Sequence, residues 1–310
     1  MDEESQQIVQ RVATCNATVL FTRDLKLQDH DASSDGGGTS GFSAAIQQEG
    51  LQAIQRMIDE TENFKPDQTA AVATEAFRKA ANGPQFAELV ARTCDLPVTI
   101  ATSQQEADFG FQTAAAVSGI DAADLVSWDC GAGSFQLNTL DCGSHVDSHG
   151  SGTVAALAQP LRDSGMSPQS VAQELMSSLT ESLTPVPPTV AEAIEMHTVV
   201  AIGSQHSMFN QQRILSGKSE FSQRDVERSI EEVVALHPTQ LPGLEMERSR
   251  QYGDVDDQDE IRCHENATYM VPKLVLLLAV MRHAGIHHAT FLKTNGNCEG
   301  LVAHPLLWDK

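Results

Sequence analysis

The residues best placed to do chemistry are Asp129-Cys130-Gly131-Ala132-Gly133-Ser134. The apolar run Leu125-Val126-Ser127-Trp128 leads into them, and the alternating Phe135-Gln136-Leu137 leads out. The pattern predicts strand, tight turn, strand, with Leu125–Asp129 antiparallel to Phe135–Leu137. Its glycines are expected to let the backbone bend with φ > 0 and to leave N–H groups bare. Bare N–H groups in a concave turn bind phosphate, and an acid beside them can position a metal or a water. A plain structural hairpin, with Asp129 as a turn cap, uses the same residues.

Two further stretches precede this one. They are Ala73-Thr74-Glu75-Ala76-Phe77-Arg78-Lys79-Ala80-Ala81-Asn82 and Ser103-Gln104-Gln105-Glu106-Ala107. In order and spacing the three resemble the AT-x-A-x-R-x-A-x-N, SG-x-EEA and D-x-GGGS-x-E stretches of the Ppx/GppA phosphatases. These are the exopolyphosphatases and guanosine pentaphosphate phosphohydrolases of the actin-like ATPase superfamily. A weaker match at Gly296-Asn297-Cys298-Glu299-Gly300-Leu301 extends the resemblance over nearly the whole chain.

The resemblance implies an α/β fold of two actin-like (ribonuclease H-like) lobes with a cleft between them, residues 1–108 forming the first and 109–310 the second. It also implies Mg²⁺-assisted hydrolysis of a phosphoanhydride, polyphosphate or guanosine pentaphosphate. Such cleavage needs charge stabilisation on the phosphoryl oxygens and a positioned water. Glu106 stands where the family's catalytic Glu stands, which makes it the expected general base. Asp129 matches the aspartate that would hold Mg²⁺ or its water. Arg78, Gly131, Gly133 and Ser134 match phosphate-binding positions, and an arginine fork suits a phosphate. Plainer roles stay open: Glu106 as a first-turn carboxylate favoured by the helix dipole, and Arg78 as a surface ion pair with Glu75.

The sequence also departs from the family pattern. Family members begin with a strand and a D-x-GSNS loop, whereas Asp2-Glu3-Glu4-Ser5 precedes Ile8 here. The first lobe is therefore expected to be N-terminally incomplete. Gln136 replaces the loop's final Glu and is a weaker metal ligand. Ser103 and Gln105 replace a Gly and a Glu, and Gln205 and His206 enlarge the segment Gly203–Ser207 where the family has G-x-SGT. These departures favour weak or absent activity. The alternative class is a degenerate member that binds a phosphate ligand or a protein partner without turnover.

Composition narrows the field. A net charge of −22 over 310 residues opposes general nucleic-acid binding, and a polyanionic substrate would need a local basic patch. At 41% apolar residues the chain can build real cores, and at 5% aromatic those cores are expected to be aliphatic. Six cysteines are scattered singly with no C-x-x-C pair and no signal peptide, which suits reduced thiols in the cytoplasm. The longest apolar run, Leu274 to Met281, is too short to span a bilayer. A homodimer is left open.

The elements that must position these residues follow from periodicity. Strands are expected at Ile8–Val12, Thr18–Phe21, Ala70–Ala73, Val98–Ala101, Thr198–Ile202 and Ala289–Leu292. Helices are expected after the Ser43 cap, from Pro84, from Glu106 to Val117, from Pro168, after the Ser222 cap and over Met270–Ala284. Polar loops are expected at Asp29–Ser43, where His30 is read as solvated, at Gly143–Gly152 and at Gln251–Glu260.

Overall fold

The computed structural model describes residues 40–251 and 260–304, together with 15, 17, 19–22, 24 and 25. The strand expected at Ile8–Val12, His30 and most of the acidic loop before Glu260 lie outside the described residues. The described residues fall into two compact units. One runs to Glu106 and includes His304; the other is Ala107–Ala303.

In the first unit, helix α1 (Ala44–Thr61) begins where the sequence predicts. Ser43 Oγ accepts from Ile46 N at 3.2 Å and donates to Asp24 Oδ1 at 2.6 Å. Strand β1 (Ala71–Ala73) leads through α2 (Glu75–Lys79) and α3 (Gly83–Cys94) to β2 (Val98–Ile100), which pairs with β1 in parallel. The first turn of α4 (Ser103–Ser118) closes the unit. Its core departs from the aliphatic expectation. The rings of Phe21, Phe42, Phe77 and Phe86 cluster with centroids 5.0 to 6.0 Å apart, beside Leu25, Ile46 and Val90. Phe21 lies in a helical segment rather than the expected strand, because that backbone turns its ring into the cluster.

In the second unit, six strands line up as β5-β4-β3-β6-β8-β7. They are β3 (Leu125–Cys130), β4 (Phe135–Asn138), β5 (Ser144–Asp147), β6 (Thr198–Gly203), β7 (Glu220–Ser222) and β8 (His288–Lys293). The central β3, β6 and β8 run parallel, and β4, β5 and β7 are antiparallel to their neighbours. This is an α/β arrangement as expected, and its parallel strands are covered on both faces. Val126, Trp128 and Ala201 share a core with α5 (Ser151–Asp163), α6 (Pro168–Ser182), α7 (Pro188–Met196), α8 (Met208–Ser216), α9 (Gln223–Ala235) and α11 (Glu260–Ala284). Leu125, Val200 and Ile202 point the other way, onto Phe111 and Ala114 of α4. Helices α10 (Leu241–Gln251) and α12 (Cys298–Ala303) complete the unit.

Two features correct the expectation of a loop at Gly143–Gly152. Strand β5 occupies its first half and the start of α5 its end. The strand escapes a hydrophobicity reading because it buries His145 and Asp147 and exposes Val146. Among the described residues, no helix is long and apolar enough to cross a membrane, and Cys15, Cys94, Cys130, Cys142 and Cys298 form no disulfide.

Candidate active site

The first unit brings Arg78 and Glu106 together. Arg78 sits in the last turn of α2, and Glu106 in the first turn of α4. That turn is fixed by a reciprocal cap: Gln105 N donates to Thr102 Oγ1 at 3.1 Å, and Thr102 N donates to Gln105 Oε1 at 2.9 Å. Gln105, a departure from the family pattern, thus serves as the capping partner. Arg78 Nη2 donates to Glu106 Oε2 at 2.7 Å, and Nη1 donates to the Ala101 carbonyl, also at 2.7 Å. Both side chains keep about a fifth of their surface exposed, 23% and 19%, so solvent reaches the pair. The competing account of Arg78 does not hold, since Glu75 pairs with Lys79 instead.

The second unit carries the glycine turn. Strands β3 and β4 are antiparallel, with Cys130 opposite Phe135 and Asp129 opposite Gln136. The turn's carbonyls face the start of α5. Ser151 N donates to Gly131 O at 3.0 Å, while Gly152 N and Thr153 N donate to Ala132 O at 2.8 and 3.0 Å. The first N–H groups of the helix, which have no partner inside it, are satisfied this way. No hydrogen bond to a described residue engages the N–H groups of Ala132, Gly133 or Ser134.

The contact depends on Gly150. A Cβ there would lie 2.5 Å from Ala132 C and from Ser134 N, backbone atoms that cannot yield. The positive φ expected in the turn is not found at Gly131; close approach, not a left-handed bend, sets its shape. Gln136 Nε2 donates to Ser134 Oγ at 2.8 Å, so the neutral replacement supports the turn from beneath.

Asp129 is half-buried, just after the buried part of β3 that ends at Trp128, and Asn297 Nδ2 lies 3.4 Å from its Oδ2. Asn297 is placed by the docking of α12 on α4. A Cβ at Gly300 would fall 2.0 Å from Phe109 O, and Gly300 N donates to Thr113 Oγ1 at 2.8 Å. Gly110 of α4 is close by: a Cβ there would meet Asn297 Oδ1 at 3.7 Å and Asp129 Oδ2 at 3.9 Å. Sequence reasoning noted the Asn297–Gly300 stretch but gave Asn297 and Gly110 no role at Asp129.

Among the described residues, no group of three or more His, Cys, Asp or Glu is placed to hold a metal. A Mg²⁺ that keeps its waters and shares substrate phosphate needs only one or two carboxylates. The single carboxylate Asp129, with an amide beside it, fits that open form and not a closed protein cage.

The loop after β6 is tied from behind. Asn210 Nδ2 donates to Gln205 O at 2.8 Å, and the buried Lys273 of α11 donates to His206 O at 2.8 Å. Burial pushes the Lys273 ammonium below its ordinary pKa, partly offset by the charge of Glu245. Sequence reasoning missed Lys273, a lone cation at the border of the apolar run Leu274–Met281 in α11.

Comparison with known proteins bears on the family and the fold. The family model for the Ppx/GppA phosphatase family matches residues 8–255. No curated protein matches the sequence. Among solved structures, a type II variant of the Aquifex aeolicus Ppx/GppA phosphatase superposes with a TM-score of 0.59 at 15% identity, covering 89% of this chain and 87% of that one. Another structure of the Aquifex aeolicus family member gives 0.61 at 14% identity, covering 90% and 86%. An exopolyphosphatase from Cytophaga hutchinsonii gives 0.59 at 13%, covering 86% and 85%. At such identities the likeness speaks for the fold, which is the actin-like α/β fold.

Proposed function

Because the chain belongs to the Ppx/GppA phosphatase family, we propose that it hydrolyses a phosphoanhydride of a small polyanion, polyphosphate or guanosine pentaphosphate. The observation that carries this reading is the glycine turn: among the described residues none engages the N–H groups of Ala132, Gly133 and Ser134, while the carbonyls of Gly131 and Ala132 are bound to α5. Donors fixed in advance around a phosphoryl group stabilise charge without reorganising during the reaction. Glu106 acts as the general base, taking a proton from water. Arg78 holds that carboxylate in one orientation and contributes positive charge toward the anion. Asp129 would hold Mg²⁺, which when bound draws charge from the phosphate oxygens.

A general base on water contributes roughly 10²–10⁴-fold. The test is phosphate release from polyphosphate and guanosine pentaphosphate with Mg²⁺, for the wild type and Glu106→Gln. Turnover should fall by that factor while substrate binding is retained, since removing a carboxylate does not weaken attraction for an anion. Robust hydrolysis untouched by Glu106→Gln would remove both the residue and the mechanism.

One observation favours a second reading, a member that binds a phosphate ligand with little or no turnover. Gln136 presents a neutral amide, already committed to Ser134 Oγ, where the family pattern has a carboxylate. Tight binding of either anion without phosphate release, with or without Mg²⁺, would select this reading.

A further inference from the structure

Beside the glycine turn, where Asp147 pairs with Phe135 in the β4–β5 ladder, three side chains of the second unit meet in an order that phosphoanhydride cleavage does not require. Asp147 is the last residue of β5, His149 lies in the short link to α5, and Ser182 ends α6. Asp147 Oδ1 accepts from His149 Nδ1 at 2.5 Å and from His149 N at 2.9 Å. Its Oδ2 accepts from Thr184 N and Thr184 Oγ1, both at 2.8 Å. On the other side of the ring, His149 Nε2 lies 3.1 Å from Ser182 Oγ.

The protonation pattern follows from the donor inventory. An ionised carboxylate only accepts, so the ring proton sits on Nδ1. Asp147 is ionised because it is fully bonded. Burial pushes its pKa up, but the hydrogen bonds from Thr184 and His149 outweigh that and hold it below the ordinary carboxylate value. In a neutral ring Nε2 is then a bare acceptor facing the Ser182 hydroxyl. Ser182 Oγ also lies 2.8 Å from Ser178 O, so rotation about the C–O bond directs its proton either to that carbonyl or to His149. Ser182 is exposed at the helix end, Asp147 is buried and His149 lies between them. A nucleophile, a base and an orienting acid in this relation activate a hydroxyl on any fold that assembles them.

We propose that Asp147, His149 and Ser182 form a second reactive site, in which Ser182 takes an acyl group from an activated donor. In the transfer, Ser182 Oγ bonds to the donor's carbonyl carbon and its proton passes to His149 Nε2. The donor's C–O or C–S bond breaks, and the departing oxygen or sulfur takes that proton from His149. Water, deprotonated by the same ring, then hydrolyses the acyl-serine and restores the site. The substrate class follows from where Ser182 sits. The C-terminal end of a helix offers carbonyls rather than N–H groups, so α6 gives an oxyanion no support. Donors with good leaving groups, such as activated esters, thioesters and acyl phosphates, need such support least; amides are outside the range of the site. Asp147 acts through His149 and is a positioning residue.

The test uses a fluorophosphonate, which a nucleophilic serine attacks at phosphorus with loss of fluoride, and 4-nitrophenyl acetate as the acyl donor. The full chain, its Ser182→Ala and His149→Gln variants and the urea-unfolded wild type are treated alike, and adducts are located by peptide mass spectrometry. Thermal melts check that the variants are folded. The expected result is an adduct on Ser182 in the folded wild type only, with a burst of nitrophenolate that Ser182→Ala abolishes. A readout that needs no variant is the pH dependence of wild-type labelling. It should rise as the imidazole loses its proton, in a setting where the neighbouring ionisable groups are Asp147, the buried His145 and His283, whose Nε2 donates to Thr184 O. No Ser182 adduct in the folded wild type, an adduct equally present in folded His149→Gln, or labelling that does not follow pH would each show that the three residues merely clasp β5 to the end of α6.

Discussion

Arg78 spans two residues that are distant in sequence, reaching Glu106 Oε2 with one arm of its guanidinium and the Ala101 carbonyl with the other, each at 2.7 Å. Lysine keeps the charge but cannot make both contacts from one rigid plane. In Arg78→Lys the cation that holds Glu106 Oε2 loses its own anchor at the Ala101 carbonyl, so the carboxylate is no longer fixed in one place. A displacement of about 1 Å at a reacting group costs on the order of 10²-fold, so turnover of phosphoanhydride should fall by that order. Steady-state kinetics should place the loss in kcat more than in KM. A loss in KM alone would assign Arg78 to substrate binding and free Glu106 from it.

Gly150→Ala tests the contact that shapes the glycine turn. The new Cβ would sit 2.5 Å from two backbone atoms of the turn, so the turn or the start of α5 must shift. Overpacking of this kind costs about 1–3 kcal/mol. Urea unfolding should show that loss, and phosphate release or anion binding should weaken with it. Unchanged anion binding in a destabilised protein would separate the turn's shape from its proposed work.

Gln136→Glu asks whether the metal site is weakened or lost. Glutamate cannot donate to Ser134 Oγ as Gln136 Nε2 does at 2.8 Å, so the hydroxyl must reverse and donate. A second carboxylate then lies opposite Asp129 in the β3–β4 ladder. The Mg²⁺ concentration that gives half-maximal activity, or half-saturation in calorimetry, should drop. No change would place Gln136 in a purely structural role.

Acid should destabilise the second unit in two stages of the same sign. Burial holds the pKa of His145 below its ordinary 6.5, so as pH falls from there the unfolded chain takes a proton first and stability is lost. Asp147 is held below its ordinary 3.8. Its contribution is complete above that value and is lost as pH falls toward the folded pKa. His145→Phe, which keeps a ring against Phe135, should flatten the upper stage, and Asp147→Asn the lower one. Thermal melts from pH 7 to pH 3 would read both slopes, and a rise in stability on acidification would contradict them.

The sequence made the hairpin legible because three local signals agreed: an apolar strand, small residues in the turn and alternation after it. Helices α1 and α9 were legible from Ser43 and Ser222, which cap them as read. Other parts were hidden for physical reasons. Strand β5 inverts the usual pattern with His145 and Asp147 inside, and α5 carries Pro160 within it. Phe21 lies among weak local signals, and only a tertiary ring cluster decides its conformation. The pairing of Arg78 with Glu106, the approach of Asn297 to Asp129 and the meeting of His149 with Ser182 all join distant segments. Such contacts leave no periodic trace. In each case the sequence exposed the residue type but not its neighbour.

The placement of Asn297 has a consequence for synthesis. It stands beside Asp129 only because α12 docks on α4 through Gly300, and 168 residues separate the pair in the chain. Chains emerge from the ribosome N-terminal end first, at about 5–20 residues per second. A nascent chain therefore carries the glycine turn, and the strands β3 and β4 that bear it, well before it carries Asn297. Through that interval Asp129 lacks its amide neighbour and α4 lacks its cover at Phe109 and Thr113. Chains stalled just short of α12 are consequently the ones in which chaperone binding at α4 should be greatest.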